Sequence, residues 1–287
     1  MNRLSTARRA QVLACLCEGV SINSTARQCK VSHVTVLKLL ADIGPVVLKL
    51  QQDLFVNLPC KRVQCDEIWS FVGCKQKNLP RDEKGRGRGD VWTWTAVCED
   101  SKLIPCWHVG ARDAEAARLF MGDLAARLAN RVQLSTDGLK VYLAAVGPAF
   151  GWDVDYAQLV KIYGPSLEED HRYSPAEVLS VEKEAIIGKP DLDRVSTSFV
   201  EAHNMQMRTN IRRLTRLTNG HSKKLDNHVH AMSLWFAYYN LCRKHTTLTK
   251  AAGGIHTSPA MAAGVTDHVW SVERFIEALD TSLSAKL

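Results

Sequence analysis

Three carboxylates stand where acid chemistry is best placed. Asp66 lies in the middle of "VQCDEIWSFVG" (63–73), where aromatic and β-branched residues crowd into a strand pattern. Glu67 is its immediate neighbour. Side chains alternate along a strand, so the two acids point to opposite faces. Asp66 shares its face with Ile68 and Val72 and is read as the inward one. Glu67 is read as lying on the other face, paired or solvated. Asp137 ends the next strong strand signal, "LSTDG", and Glu201 opens a long helix in "STSFVEAHN". Acids on two strands and a helix start can converge at one end of a sheet. Such an oxygen cluster suits Mg²⁺, which takes a few carboxylates plus water and substrate phosphate. Two ions of this kind clamp the attacking and leaving oxygens of an in-line phosphoryl displacement. Each acid also has a purely structural reading. Asp66 can be an edge-strand charge. Asp137-Gly138 can be a turn or a helix N-cap. Ser198-x-x-Glu201 fits a capping box.

The charges downstream of Glu201 favour chemistry over capping. On a continuous helix, Arg208 and Arg212 fall within about 20° of Glu201. From Arg208 to Lys224 the charged residues are Arg208, Arg212, Arg213, Arg216, Lys223 and Lys224, with no acid between them. A solvated face usually mixes signs. A single-sign run beside a carboxylate suits a phosphate backbone entering a metal site.

The elements that must position these residues are set by periodicity. Residues 6–43 carry helical spacing, broken near Gly19 and at Lys30-Val31. Ser32 is a natural N-cap for a helix through Ile43. Two short helices joined by a turn, with Val34, Leu37 and Leu40 inward, predict a helix-turn-helix whose His33, Thr35 and Lys38 face a groove of double-stranded DNA. Gly44-Pro45 breaks the pattern, and 45–58 reads as a linker helix. Strands are predicted at 62–74, 91–99 and 103–109, a helix at 113–129, a strand ending at Asp137, then a helix and a strand near 152–162. Residues 164–196 read as irregular. Two more helices are predicted, one from Ser198 and one over 224–245. This order predicts an α/β fold with a mixed sheet flanked by helices. Trp69 is read as packing under the sheet. The units expected are 1–50, 60–250, and a helical tail over 251–287.

Composition sets the background. The 287 residues include 46% hydrophobic ones, as a globular protein with a real core would, and the formal charge of +7 allows a polyanionic partner without demanding one. Nine scattered cysteines with no C-x-x-C pair predict neither a disulfide framework nor a structural zinc site. No secretory h-region and no membrane-length apolar run are found, so a cytoplasmic, nucleoid-associated protein is expected.

The blocks "QCDEIWSFVG", "LSTDG" and "SFVEAHNMQMRTNIRRLTRLTNGHSKKLDNHVHAMSLWFAYYNLCRKHTTL…SPAMAAGV" resemble those of bacterial insertion-sequence transposases of the DDE group, most closely the insertion-sequence-one type. The likeness runs from about residue 60 to 265. It implies a ribonuclease-H-like catalytic domain with Asp66 on the first strand, Asp137 on the fourth and Glu201 on a later helix, together holding two Mg²⁺ or Mn²⁺ ions. It implies strand cleavage at the element's end by water, then attack of the freed 3′-OH on target DNA, without a covalent enzyme intermediate. The partners would be terminal inverted repeats and target DNA, with a homo-oligomer assembled on them. "YYNLCRKHTTL" would place Asn240, Arg243 and His245 near bound DNA. The chain departs from relatives that carry a cysteine-rich zinc module ahead of the helix-turn-helix. Its 79–90 loop, with Arg81, Lys84, Arg86 and Arg88, is longer than the usual tight hairpin. Its interval between Asp137 and Glu201 is longer than in compact relatives. Two other readings stay open: a helix-turn-helix regulator with a non-catalytic α/β domain, and a metal-dependent nuclease without joining.

Overall fold

The strand pattern around Asp66 forms β1 (Arg62–Val72), in a computed structural model that describes residues 3–83, 85–164 and 178–285. β1 is central. On one side it pairs antiparallel with β2 (Gly89–Cys98), which pairs antiparallel with β3 (Trp107–Gly110). On the other it pairs parallel with β4 (Val132–Asp137), and β4 pairs parallel with β5 (Val154–Tyr163). A parallel neighbour needs a crossover, supplied between β3 and β4 by α4 (Ala114–Arg127) and between β4 and β5 by α5 (Val141–Phe150). The sheet order is β3-β2-β1-β4-β5-β6. The edge strand β6 (Val178–Ile187) falls inside the segment expected to be irregular. Eight of its ten residues are exposed, so it has no buried face to leave a pattern in the sequence.

One face of the sheet is covered by α4 and α5. There Trp94 packs against Phe120 and Tyr142, with ring centroids 6.0 and 5.5 Å apart. The other face is covered by α6 (Ser198–Asn210) and α7 (Leu225–Ala237). Ile68 meets Val200, Met207, Met232 and Phe236 there, which puts Asp66 on the α6 side, as its alternation with Ile68 predicts.

Before the sheet come α1 (Thr6–Cys17), α2 (Ile22–Gln28) and α3 (His33–Leu54). The expected break at Gly44-Pro45 does not occur. Pro45 lies inside a 22-residue helix. The reason is tertiary. Ser233 of α7 donates to the Gly44 carbonyl at 2.9 Å, and a Cβ on Gly44 would stand 2.5 Å from His230. Packing against α7 outweighs the roughly 3 kcal/mol that an interior proline costs. Of the residues expected inward, Leu40 is buried, Leu37 is half-buried and Val34 is 60% exposed, while Val36 and Leu39 also face inward. These helices share one apolar core with the sheet and with α10 (Glu273–Ser284), where Arg9 grips both Asp280 oxygens at 2.6 and 2.7 Å. Two short helices, α8 (Thr246–Ala251) and α9 (Pro259–Ala262), lie between α7 and α10.

Candidate functional site

The site forms where β4 ends and β1 runs on. The β1–β4 register passes through Cys65–Thr136, so Asp66 and Asp137 come next, side by side. Asp66 Oδ1 accepts from the Glu67 backbone N–H and Oδ2 from Asn204 Nδ2, both at 2.8 Å. Burial pushes the Asp66 pKa up to about 6 despite these bonds, and the charges of Asp137 and Glu201 push the same way. Asp137 Oδ1 accepts from Leu139 N–H at 3.0 Å, so the turn reading of Asp-Gly is realised. Its Oδ2 remains for the site, 3.8 Å from Arg112 Nη2. Burial raises the Asp137 pKa as well.

Glu201 reaches the site from the first turn of α6. The capping box that Ser198-x-x-Glu201 would allow is not formed. Gln64 of β1 takes the helix N-terminus, its Oε1 accepting from Phe199 and Val200 N–H at 2.8 and 3.3 Å. These two donors would otherwise be orphaned. Gln64 shares a strand face with Asp66, so one side chain fixes the start of α6 relative to the carboxylate. Freed from capping, Glu201 Oε1 accepts from Thr197 Oγ1 at 2.5 Å and from Lys161 Nζ. Gln64→Met is expected to lower unfolding free energy by about 1–2 kcal/mol, read from urea melts, because two buried N–H groups lose their acceptor. An unchanged midpoint would remove that role.

Glu67 departs from its expected separation. It is paired, as expected of the outer acid: Arg112 Nε donates to it at 3.1 Å and its side chain has no exposure. Yet oxygens of Asp66, Glu67 and Asp137 all lie within 4.8 Å of one another. Alternation does put the two adjacent acids on opposite faces. Because β4 stops at Asp137, no strand backbone divides those faces there. Burial pushes the Glu67 pKa up to about 7, with the Tyr142 hydroxyl beside it pulling the other way.

Asp66, Asp137 and Glu201 line one cleft of about 570 Å³, together with Arg112, Lys161 and Thr197. The two cations escaped the sequence reading. Arg112 sits just ahead of the α4 N-cap and Lys161 on β5, and neither belongs to a charge run or motif. The donor set is all hard carboxylate oxygen, which fits Mg²⁺ or Mn²⁺.

The raised Asp66 pKa has a consequence for stability. A carboxyl that binds its proton more tightly when folded contributes stability that is complete below about pH 4 and lost as pH rises through about 6. In EDTA, Asp66→Asn is expected to melt close to wild type at pH 4.5 and above it at pH 8. A difference that stays constant across that range would contradict the burial of this charge.

The expected nucleic-acid contacts are placed unevenly. His33 and Lys38 are exposed and Thr35 is half-buried. α6 stops at Asn210 and Arg212 lies on a separate short turn beyond it, so Arg212 does not share the Glu201 helix face. No Gly or Pro marks that stop in the sequence. Arg208 is drawn inward, donating to the carbonyls of Leu214 and Trp69 at 3.1 and 3.3 Å. Arg213 donates to Ser222 Oγ at 3.2 Å. Burial lowers the pKa of both arginines to about 10. Arg216, Lys223 and Lys224 are exposed. A groove of about 560 Å³ joins His33 to Arg212, Arg213, His221, Lys223 and Lys224.

Asn240 is a residue that the resemblance would put near bound DNA. It is fully buried and clamps Ile104, accepting from its N–H at 2.9 Å and donating to its carbonyl at 3.0 Å. Arg243 and His245 are half-buried just after it. Burial lowers the His245 pKa, and Lys102 and Arg243 act in the same direction. In the 79–90 loop Arg88 pairs with Glu83, Arg81 and Arg86 are exposed, and Lys84 lies outside the described residues. Among the described residues no single helix is long and apolar enough to cross a membrane.

No protein-family profile and no curated protein matches the chain. Among solved structures, the Mos1 strand transfer complex overlaps 98% of this chain and 79% of its own, at 12% identity and a TM-score of 0.33. The Mos1 transposase paired-end complex with left transposon end overlaps 54% of this chain and 60% of its own, at 16% identity and a TM-score of 0.23. Superpositions this loose carry no weight for the activity.

Proposed function

We propose that the chain is a DDE-type transposase of the insertion-sequence-one kind. It cuts DNA strands at element ends and joins the freed 3′-OH to target DNA. The observation that carries the reading is the convergence of Asp66, Asp137 and Glu201 on one cleft. The sheet order supports a ribonuclease-H-like catalytic domain. The 111° bend between α2 and α3 supports a helix-turn-helix that presents His33, Thr35 and Lys38 to a DNA groove.

Asp66, Asp137 and Glu201 would hold two divalent ions. When bound, such ions supply Lewis-acid stabilisation to the oxygen that attacks and the one that leaves. The protein's own groups do the positioning. Asn204 orients Asp66, and Gln64 sets the start of the helix that carries Glu201. Arg112, held in place by Glu67, and Lys161, beside Glu201, offer cations to a phosphate oxygen at the cleft. Lys223, Lys224 and Arg216 offer exposed charge to the backbone, while Arg208 and Arg213 brace the loop that presents it. The protein would act in the cytoplasm on the nucleoid, and pairing two ends would need at least a dimer.

The test is a strand-transfer assay with labelled duplex from the flanks of the gene and a target plasmid. Joined product with Mg²⁺ or Mn²⁺, absent in EDTA, is expected. Cut ends without joining would leave a nuclease. Binding without cutting would leave a regulator.

A further inference from the structure

Three large aromatic residues lie on the Glu67 face of the sheet, just beyond the cleft. Trp69 and Phe71 come after Glu67 on β1, and Trp92 stands opposite Trp69 on β2. The Trp69 and Phe71 rings are 5.7 Å apart, and His221 continues the row 4.6 Å from Phe71. Two residues further along β2, Trp94 is wholly buried under α4 and α5. Trp69, Phe71 and Trp92 are only half-buried and belong to none of the hydrophobic clusters of the described residues. The packing expected for Trp69 under the sheet is therefore not found.

The charges beside these rings are mainly of one sign. Lys75 Nζ sits 5.6 Å from the Trp69 centroid and the Arg112 guanidinium 4.7 Å from that of Trp92. Lys223 leans on His221. Of the nearby acids, Glu67 is held by Arg112, and Asp90 accepts from the Gln76 backbone at 2.9 Å. A Trp–Trp cross-strand pair stabilises a hairpin by itself. It does not require cations above both rings, or leave the row uncovered. Aromatic faces flanked by cations are the chemistry that takes unpaired bases on an anionic strand. Arg112 belongs to both places, touching Trp92 and lining the acidic cleft.

We propose that Trp69, Phe71 and Trp92 form a stacking platform for unpaired nucleotides of single-stranded DNA, leading the strand past Arg112 to the carboxylates. The proposal deepens the transposase reading and is tested apart from it, without metal. Fluorescence anisotropy in EDTA compares the full chain on labelled dT15 and on a 15-base-pair duplex. Trp69→Ala with Trp92→Ala is expected to weaken dT15 binding by about tenfold or more, with duplex binding held within about twofold. Phe at both positions should keep dT15 binding within about threefold. Unchanged dT15 affinity in the alanine variant, or an equal loss on both ligands, would overturn the platform. Wild-type protein gives an independent check should the alanine variant fail to fold. A dT15 carrying central 2-aminopurine should lose fluorescence on saturation as its base stacks, and no loss would overturn the proposal. A protein that stacks dT15 but never cuts DNA would keep the platform and remove the transposase. Cutting without stacking would do the reverse.

Discussion

Replacing Asp66 with Asn is expected to lower metal-dependent cleavage by about a thousandfold or more, while Glu67→Gln costs about tenfold or less. The two residues are neighbours in the chain and both lie within 4.8 Å of Asp137 through their oxygens, so proximity alone does not separate them. Their partners do. Asp66 is oriented from two sides by neutral donors, the Glu67 backbone and Asn204, which leave its charge for a cation. Glu67 is already held by Arg112, and its carboxyl is wholly enclosed. Its main service is to keep Arg112 near Asp137 and Trp92. Single-turnover cleavage of a labelled duplex measures both variants, with duplex affinity as the control. Equal losses would make Glu67 a ligand of the same rank and would undo the assignment of faces.

The second large effect is expected at Glu201. Glu201→Gln should also cost about a thousandfold, although its oxygens lie outside the tight cluster of the other acids. Glu201 is turned toward Lys161 and Thr197. Lys161 therefore competes with a cation for this carboxylate. Lys161→Met should tighten Mn²⁺ binding in the absence of DNA, read by calorimetry, because one competitor for Glu201 is gone. It should also lower cleavage about tenfold or more through loss of a phosphate contact. Full activity in Glu201→Gln would remove it from the site. Unchanged Mn²⁺ affinity in Lys161→Met would remove the competition.

The sequence carried those parts of the site that sit on patterned elements. β1 is rich in aromatic and β-branched residues and β4 runs straight into an Asp-Gly turn, so the positions of Asp66 and Asp137 at strand centre and strand end could be read directly. The parts that escaped depend on contacts distant in the chain. Pro45 survives inside α3 because α7 comes to meet Gly44. α6 opens against Gln64, 135 residues away from Phe199, where local spacing pointed to a capping box. β6 escaped because an edge strand with both faces exposed has no apolar periodicity. Arg112 and Lys161 are single cations on unrelated elements, and only the fold brings them to the acids. The clamp of Asn240 on Ile104, 136 residues away, likewise left no local signal.

The most direct measurement is metal-dependent cleavage of duplex from the flanks of the gene, with wild type beside Asp137→Asn. Asp137 ends β4 at the point where the site forms, and one of its oxygens is kept for the turn. The substitution retains that turn acceptor and removes only the charge. Wild type alone should yield 3′-OH ends with Mg²⁺ or Mn²⁺, while both proteins bind the duplex. Equal cleavage by the two proteins, or none by either, would contradict a phosphoryl-transfer site built on these carboxylates.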